Sequence, residues 1–205
     1  MTALRTGGLI LAGGRSARFG SEKAVAKLHG RALLAWGLAA LTPICQAVAV
    51  SARRGSGADA LALALGRQVL ADDPSHTAGP LAGVAAGLAW AAKSGFDLLV
   101  TFPCDTPLIG ACEIDALIAA VGDAPAAYAL TPDGPHGLCA VWRTSAAAAL
   151  SARLNAGDHP PVRSLLGELR AVAAHFDDAR PFRNINTPAD LAMIQSEVTV
   201  ASPLA

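Results

Sequence analysis

The chain lacks a net charge, and this absence limits the partners it can have. Sixteen basic residues balance sixteen acidic ones among 205 residues, so neither a nucleic-acid partner nor a membrane-surface patch is predicted. Aromatic residues are also scarce, at 4%, as in an ordinary compact α/β protein. Because the basic and acidic residues balance, any preference for an anionic ligand must be local.

Paired cysteines are missing as well. The four cysteines show no C-x-x-C spacing, which supports neither a disulfide framework nor a zinc site. Buried free thiols in a reducing cytoplasm are the simpler interpretation. These cysteines are Cys45, Cys104, Cys112 and Cys139.

Long hydrophobic runs and targeting signals are absent too. The most apolar later stretch, residues 81–92, is too short to span a bilayer and contains Gly83 and Gly87. The first residues lack the basic start, apolar run and cleavage site of a signal peptide. We therefore expect a soluble, cytoplasmic protein.

Several common catalytic motifs are also missing. Five residues separate Gly14 from Gly20, and Ser21 follows, whereas a Walker A loop has four residues between its glycines and then a lysine. The dinucleotide fingerprint G-x-G-x-x-G is absent. Without a G-x-S-x-G or H-E-x-x-H motif, serine hydrolase and zinc protease chemistry have no support.

What the sequence does contain is an alternation of short apolar runs and helical patterns. This alternation predicts an α/β protein whose mostly parallel sheet is covered on both faces. Without a linker or repeat, residues 1–198 are predicted to form one domain, followed by a flexible tail at 199–205. The predicted strands lie at 9–11, 47–51, 68–70, 97–102, 126–131, 138–143 and 171–176, with a loop at 132–137. The predicted helices lie at 31–42, 59–65, 81–93, 113–121, 145–155, 162–169 and 189–198.

The first strand ends in a pattern that suits a phosphate group. Gly13 and Gly14 follow it, and glycines let backbone N–H groups approach a ligand closely. Three cations come next in the chain: Arg15, Arg18 and Lys23. A tight turn with solvated arginines is the alternative interpretation, but the combination favours a phosphate site.

Two aspartates follow later strands. Ligands collect beyond the carboxyl ends of parallel strands, so the loops with Asp72 and Asp105 should converge on the glycine loop. Asp105 lies between two prolines after a fully apolar strand, and a fixed carboxylate there suits a divalent cation that bridges phosphates. An Asx-turn or helix-cap role is the alternative for Asp105.

Three motifs together resemble the MobA family of molybdenum cofactor guanylyltransferases. They are Leu-Ala-Gly-Gly-x-x-x-Arg-x-Gly-x-x-Lys at 11–23, Pro-Cys-Asp-Thr-Pro at 103–107 and Asn-Ile-Asn-Thr-Pro at 184–188. The resemblance runs from Gly8 to about Ile194. It implies a Rossmann-like, three-layer α/β/α nucleotidyltransferase (GT-A-like) fold with a mostly parallel mixed sheet.

The resemblance also implies an activity. GMP would pass from GTP to Mo-molybdopterin with release of pyrophosphate, giving the guanine dinucleotide cofactor. Mg²⁺ would be required, and molybdoenzyme maturation proteins would be partners. No nucleic acid or membrane is implied.

Site residues follow from the same resemblance. Asp105 would hold Mg²⁺, Lys23 would hold phosphate, and Arg15 and Arg18 would face the leaving pyrophosphate. The nucleotide would contact Leu11, Ala12, Gly13, Gly14, Lys23, Ser51, Asp72 and Asp105. The pterin cofactor would contact Asn184 and Asn186, for which turn and cap roles are the alternative.

Two positions depart from the family pattern. Ser51 stands where Asn is common, and it keeps a smaller set of hydrogen-bonding groups for the nucleotide. His136-Gly137 replaces the usual His-Pro or Pro-Leu on the pterin side.

Three other functions remain open from the sequence. A cytidylyltransferase of molybdopterin, or another small nucleotidyltransferase that acts on a phosphorylated acceptor, is the nearest. Cytidylyl relatives usually carry Leu-Ala-Ala-Gly where this chain has Leu-Ala-Gly-Gly. A non-catalytic adaptor that hands on the cofactor is the second, and the presence of Lys23 and Asp105 disfavours it. A sugar-phosphate nucleotidyltransferase is the third, and its longer Gly-rich signature is missing.

Overall fold

A computed structural model describes residues 4–13, 19–20, 22–71, 79–155 and 160–198. Seven strands form the main sheet in the order β5-β4-β1-β6-β8-β7-β9, and β2 and β3 form a small antiparallel hairpin. Within the main sheet only β8 runs against its neighbours, so the sheet is mixed and mostly parallel. The strands are β1 (Thr6–Leu11), β2 (Lys27–Leu28), β3 (Arg31–Ala32), β4 (Ala47–Ser51), β5 (Gln68–Leu70), β6 (Leu98–Pro103), β7 (Ala126–Thr131), β8 (Gly134–Arg143) and β9 (Val172–His175).

Helices connect the strands of the main sheet. The α-helices are α1 (Leu33–Leu41), α2 (Gly57–Ala64), α3 (Pro80–Lys93), α4 (Ala111–Val121), α5 (Ala147–Asn155), α6 (Val162–Glu168) and α7 (Pro188–Glu197). Single 3₁₀ turns lie at Lys23–Val25, Thr144–Ala146 and Arg180–Phe182. None of the helices in the described ranges is long and apolar enough to cross a lipid bilayer.

Apolar side chains cover the sheet on both faces. One face packs against α1, α2 and α4, through residues such as Leu38, Ala62 and Leu117. The other face packs against α3, α5 and α6, through residues such as Leu88 and Leu154. The result is a three-layer α/β/α arrangement, which confirms the predicted fold class.

A third, smaller core joins the two ends of the chain. Phe19, Leu28 and Leu33 from the N-terminal part pack with Ile185 and Ile194 from the C-terminal part. All five side chains are buried. Because of this core, the segment that carries Lys23 lies beside the segment that begins α7.

The observed elements agree with most of the predicted ones, and three strands have the predicted bounds: β4, β5 and β7. One prediction is wrong: residues 134–137 form the first part of β8 and not a loop. The register between β7 and β8 shifts after Tyr128, where Gly137, Leu138 and Cys139 stand between two successive pairs. Such a bulge interrupts the alternation of buried and exposed side chains by which a strand is recognised in a sequence.

Two other outcomes concern the rest of the chain. The hairpin of β2 and β3 was not predicted, and the tail at 199–205 lies outside the described residues.

Candidate active site

Three parallel strands end together at one edge of the sheet. The Ala12 N–H, just after β1, donates to the Ser51 carbonyl at the end of β4 over 2.8 Å. The Cys104 N–H, just after β6, donates to the Leu11 carbonyl over 3.0 Å. The sheet hydrogen bonds thus bring Ala12, Ser51 and the Asp105 turn to the same edge. The glycine loop and the Asp105 loop were expected to converge here, together with the Asp72 loop, which lies outside the described residues.

Lys23 lies at the centre of this edge. Its Nζ donates to Asp105 Oδ2 over 2.8 Å and to Asn186 Oδ1 over 2.9 Å. The side chains of Lys23 and Asp105 are only 14% and 17% exposed. Residues from all three motifs therefore meet here, since Asp105 and Asn186 both accept from the partly buried ammonium group of Lys23. Asn186 was expected on the pterin side.

Asp105 is held by a tight turn after β6. The Thr106 hydroxyl and N–H both donate to the Pro103 carbonyl, over 2.9 and 3.3 Å. While Oδ2 of Asp105 binds Lys23, its Oδ1 is buried and has no hydrogen-bond partner in the part of the chain that the structure describes. A fixed carboxylate with one unpaired oxygen can serve as a ligand to a divalent cation.

Two thiols lie next to the Asp105 carboxylate. Burial raises the pKa of the Cys104 thiol to about 12, and the charge of Asp105 adds to this rise. Burial also raises the pKa of Cys139, with a further contribution from Asp105. Both thiols therefore stay protonated at neutral pH.

Asn186 is positioned by backbone contacts of its own segment. The Ile185 N–H donates to the Asp105 carbonyl over 2.8 Å. The Asp190 carboxylate accepts from the N–H groups of Asn186 and Thr187, each over 2.8 Å. These two hydrogen bonds hold the pKa of Asp190 below its usual range, the bond from Asn186 first, so Asp190 carries its negative charge at neutral pH.

The residue before Lys23 is also fixed. The Glu22 carboxylate accepts from the N–H groups of Gly57 and Ala58, over 2.7 and 2.8 Å. These are the first two residues of α2, where N–H groups have no partner within the helix and favour a negative charge. Glu22 thus anchors the Lys23 segment to α2.

Ser51 faces helix α3. A Cβ added to Gly83 would lie 2.6 Å from Ser51 Oγ and 3.0 Å from Leu11 Cδ2, so this glycine lets the first turns of α3 approach the sheet edge. Ser51 is 3% exposed. Serine at position 51, which is smaller than asparagine, therefore packs tightly between β4 and α3.

The second departure from the family pattern lies beside a groove. His136 stacks on Phe182 with a centroid distance of 5.3 Å and contacts Thr131 Oγ1 through Nε2 at 2.9 Å. Gly137 borders a groove of about 330 Å³ between β7, β8 and α6. A Cβ at Gly137 would lie 2.9 Å from Val162 Cγ1, so glycine lets β8 and α6 pack closely at this point.

The remaining predicted site residues fall into two groups. Gly13 and Asn184 are exposed, and the described contacts do not join them to Lys23. Four others lie outside the described residues, so their roles stay predictions: Gly14, Arg15, Arg18 and Asp72. Within the described ranges no three His, Cys, Asp or Glu side chains cluster as a metal site.

Two supporting residues were missed by the sequence reasoning. Asp190 had a readable signal, because Thr187-x-x-Asp190 before an apolar pattern is a capping box. Glu22 had none, since its partners lie 35 and 36 residues away along the chain.

Comparisons with known proteins point to one family. A family model described as "MobA-like NTP transferase domain" matches residues 8–179. The molybdenum cofactor guanylyltransferase of Cereibacter sphaeroides (strain ATCC 17029 / ATH 2.4.9) is 39% identical over 194 residues, covering 94% of this chain and 97% of that protein. The molybdenum cofactor guanylyltransferase of Rhodobacter capsulatus is 40% identical over 202 residues, covering 98% and 100%.

Solved structures share the fold. The molybdopterin-guanine dinucleotide biosynthesis protein A from Archaeoglobus fulgidus superposes with a TM-score of 0.73, and the match covers 93% of this chain and 97% of that one. At 23% identity, this similarity supports the architecture described above.

Proposed function

Because the chain belongs to the MobA-like NTP transferase family, we propose that it is a molybdenum cofactor guanylyltransferase. It transfers GMP from GTP to the terminal phosphate of Mo-molybdopterin and releases pyrophosphate. The observation that carries this proposal is the contact of Lys23 with Asp105 and Asn186, since it assembles the three family motifs at one strand edge.

The reaction needs charge neutralisation more than proton transfer. The attacking phosphate monoester has a second pKa of about 6, so it is largely ionised at neutral pH and needs no general base. The protein has to align this nucleophile with the α-phosphate of GTP and to balance the negative charge that develops. We assign the Lys23 ammonium to that charge, with Arg15 and Arg18 beside the leaving pyrophosphate.

Asp105 is the proposed ligand of a Mg²⁺ ion. Its buried and unpaired Oδ1 fits this role, and GTP phosphates would supply further oxygen ligands. Bound there, Mg²⁺ would neutralise phosphate charge and polarise the reacting phosphorus–oxygen bonds. Asp105 also orients Lys23 through Oδ2.

Asn186 is proposed to position Lys23 as well as to face the cofactor. Its Oδ1 accepts from Nζ, so its amide nitrogen is directed elsewhere and remains a donor for a ligand. Asn184 is assigned to the pterin side, and Leu11, Ala12, Gly13, Gly14, Ser51 and Asp72 to the nucleotide. The Leu11 carbonyl and the Ala12 N–H already bond within the sheet, so nucleotide contacts would not use these two groups.

Nucleotide preference tests the proposal. We would measure pyrophosphate release and dinucleotide product with Mo-molybdopterin, Mg²⁺ and either GTP or CTP. The expected result is product with GTP and little with CTP. A preference for CTP would support the cytidylyltransferase alternative, and GTP binding without product would support an adaptor. Either outcome contradicts the proposal.

Location and partners are part of the same proposal. We place the reaction in the cytoplasm, where a reducing environment keeps its thiols free, and expect transfer of the product to molybdoenzyme maturation proteins. Co-purification of such proteins with the tagged chain would test the second expectation.

A further inference from the structure

We propose that Asp190 is a positioning residue for Lys23, acting through Asn186, and not only the cap of α7; this inference rests on the proposed function. The carboxylate of Asp190 is hydrogen-bonded to the backbone of Asn186, and the side chain of Asn186 is hydrogen-bonded to Lys23. A continuous chain of contacts therefore leads from the start of α7 to the cation at the site.

The hydrogen bonds at the start of α7 do more than the helix requires. In an ordinary capping box, the carboxylate at the third helical position accepts from the N-cap N–H alone. Asp190 accepts from the N-cap residue Thr187 and also from Asn186, the residue before it. The second bond fixes the backbone of Asn186, and with it the direction in which its side chain leaves the turn.

Asn186 is held on its other side as well. The neighbouring Ile185 is fully buried and its N–H donates to the Asp105 carbonyl. Ile185 sets the distance of this segment from Asp105, while Asp190 sets the orientation of Asn186. Lys23 then has two acceptor oxygens in defined places, one from Asp105 and one from Asn186.

Positioning of a charged group matters for this type of reaction. A displacement of about 1 Å in an aligned site can lower the rate on the order of 100-fold. Loss of the Asp190 carboxylate would free Asn186 to rotate, and Lys23 would lose one of its two described acceptors. The expected consequence is a Lys23 side chain that is less shielded and less well placed for the phosphates of GTP.

The sequence makes this consequence measurable at a single residue. The chain has only three lysines: Lys23, Lys27 and Lys93. Lys27 and Lys93 are exposed, whereas Lys23 is not. Limited acetylation at one fixed pH, followed by peptide mass spectrometry, therefore reports the shielding of Lys23 against two internal references, without any need for activity.

Four forms of the full chain are compared: wild type, Asp190→Ala, Asp190→Glu and Thr187→Ala. Asp190→Ala removes both hydrogen bonds to the carboxylate and is expected to raise the acetylation of Lys23 relative to Lys93 and to lower kcat/KM for GTP about tenfold. Asp190→Glu keeps the carboxylate and should restore most of both properties. Thr187→Ala is the matched control, since it removes the hydroxyl cap on the Asp190 N–H but keeps the carboxylate on Asn186.

The outcomes separate positioning from helix capping. If Thr187→Ala lowers the melting temperature but leaves Lys23 acetylation and kcat/KM at the wild-type values, the effect of Asp190→Ala is specific and the inference holds. Unchanged acetylation in Asp190→Ala, or equal changes in both variants, would overturn it. If Asp190→Ala does not fold, Asp190→Leu, which is close in size to aspartate and also lacks an acceptor for these two N–H groups, takes its place under the same criteria. A wild-type chain without GMP transfer would contradict the proposed function, while the acetylation result would still decide the role of Asp190.

Discussion

At the scale of single residues, the proposed function gives Asp105 two separate tasks. One carboxylate oxygen binds the Lys23 ammonium, and the other is buried without a described partner. The first contact balances a charge that is partly shielded from water, and in the proposed reaction the second oxygen would bind the divalent cation. A neutral side chain of the same size could still accept from Lys23 but would not supply the negative charge for the cation, so it should fail in the second task.

We therefore expect Asp105→Ala and Asp105→Asn to lose activity while the fold is kept. Removal of a group that stabilises developing charge lowers kcat on the order of 100-fold or more. Pyrophosphate release with GTP and Mg²⁺ measures the activity, and circular dichroism measures the fold. Asp133→Asn, at an exposed aspartate away from this turn, is the control. Full activity of either Asp105 variant with Mg²⁺ would exclude Asp105 as the metal ligand.

At the scale of elements, α3 packs closely on the sheet through glycine. A Cβ added to Gly87 would run into the Leu9 side chain and would lie 3.0 Å from Leu99 Cδ2. Leu9 and Leu99 are fully buried in neighbouring strands, so neither can move into open space. Gly83, one turn earlier, makes the same kind of approach to Ser51. The position of α3 against the strand ends therefore depends on these two glycines.

Gly87→Ala is expected to destabilise the protein by about 1–3 kcal/mol, because overpacking forces the sheet and helix apart. Gly167 offers a matched control: it also lies in a helix, and a Cβ there would meet nothing within 4 Å. Gly167→Ala should be neutral or stabilising by about 0.5–1 kcal/mol, since alanine favours the helix. Urea unfolding curves measure both changes. Equal effects of the two substitutions would contradict the close-packing argument.

At the scale of the whole molecule, the core on one face of the sheet buries three of the four cysteine side chains. Cys45, Cys104 and Cys139 belong to the core beneath α1, α2 and α4, whereas Cys112 is exposed at the start of α4. Burial raises the pKa of Cys45 to about 12, as it does for Cys104. Such thiols react only when the core opens.

A disulfide reagent at neutral pH should therefore modify one thiol per native chain and four in urea, because only the thiolate reacts and only Cys112 is accessible. The Cys112→Ser variant should show none in the native state. Absorbance of the released thiol gives the count. Rapid reaction of a second native thiol would show that this core opens locally, contrary to the burial seen here.

The sequence alone determined the succession of strands and helices along the chain, the places of the three family motifs and the likeness to a guanylyltransferase. These features depend on local patterns: apolar runs, glycines, prolines and short motifs that can be read within a few residues. The one-domain organisation and the catalytic and binding roles of the site residues stay predictions.

Only the tertiary structure decided which of these residues meet. Lys23 contacts Asp105 and Asn186, which follow it by 82 and 163 residues, and no local pattern encodes contacts over such separations. They arise because β6 pairs with β1 and because Ile185 and Ile194 pack with Phe19 and Leu28 in one small core. The burial of that core places the start of α7, and therefore Asn186, against the lysine.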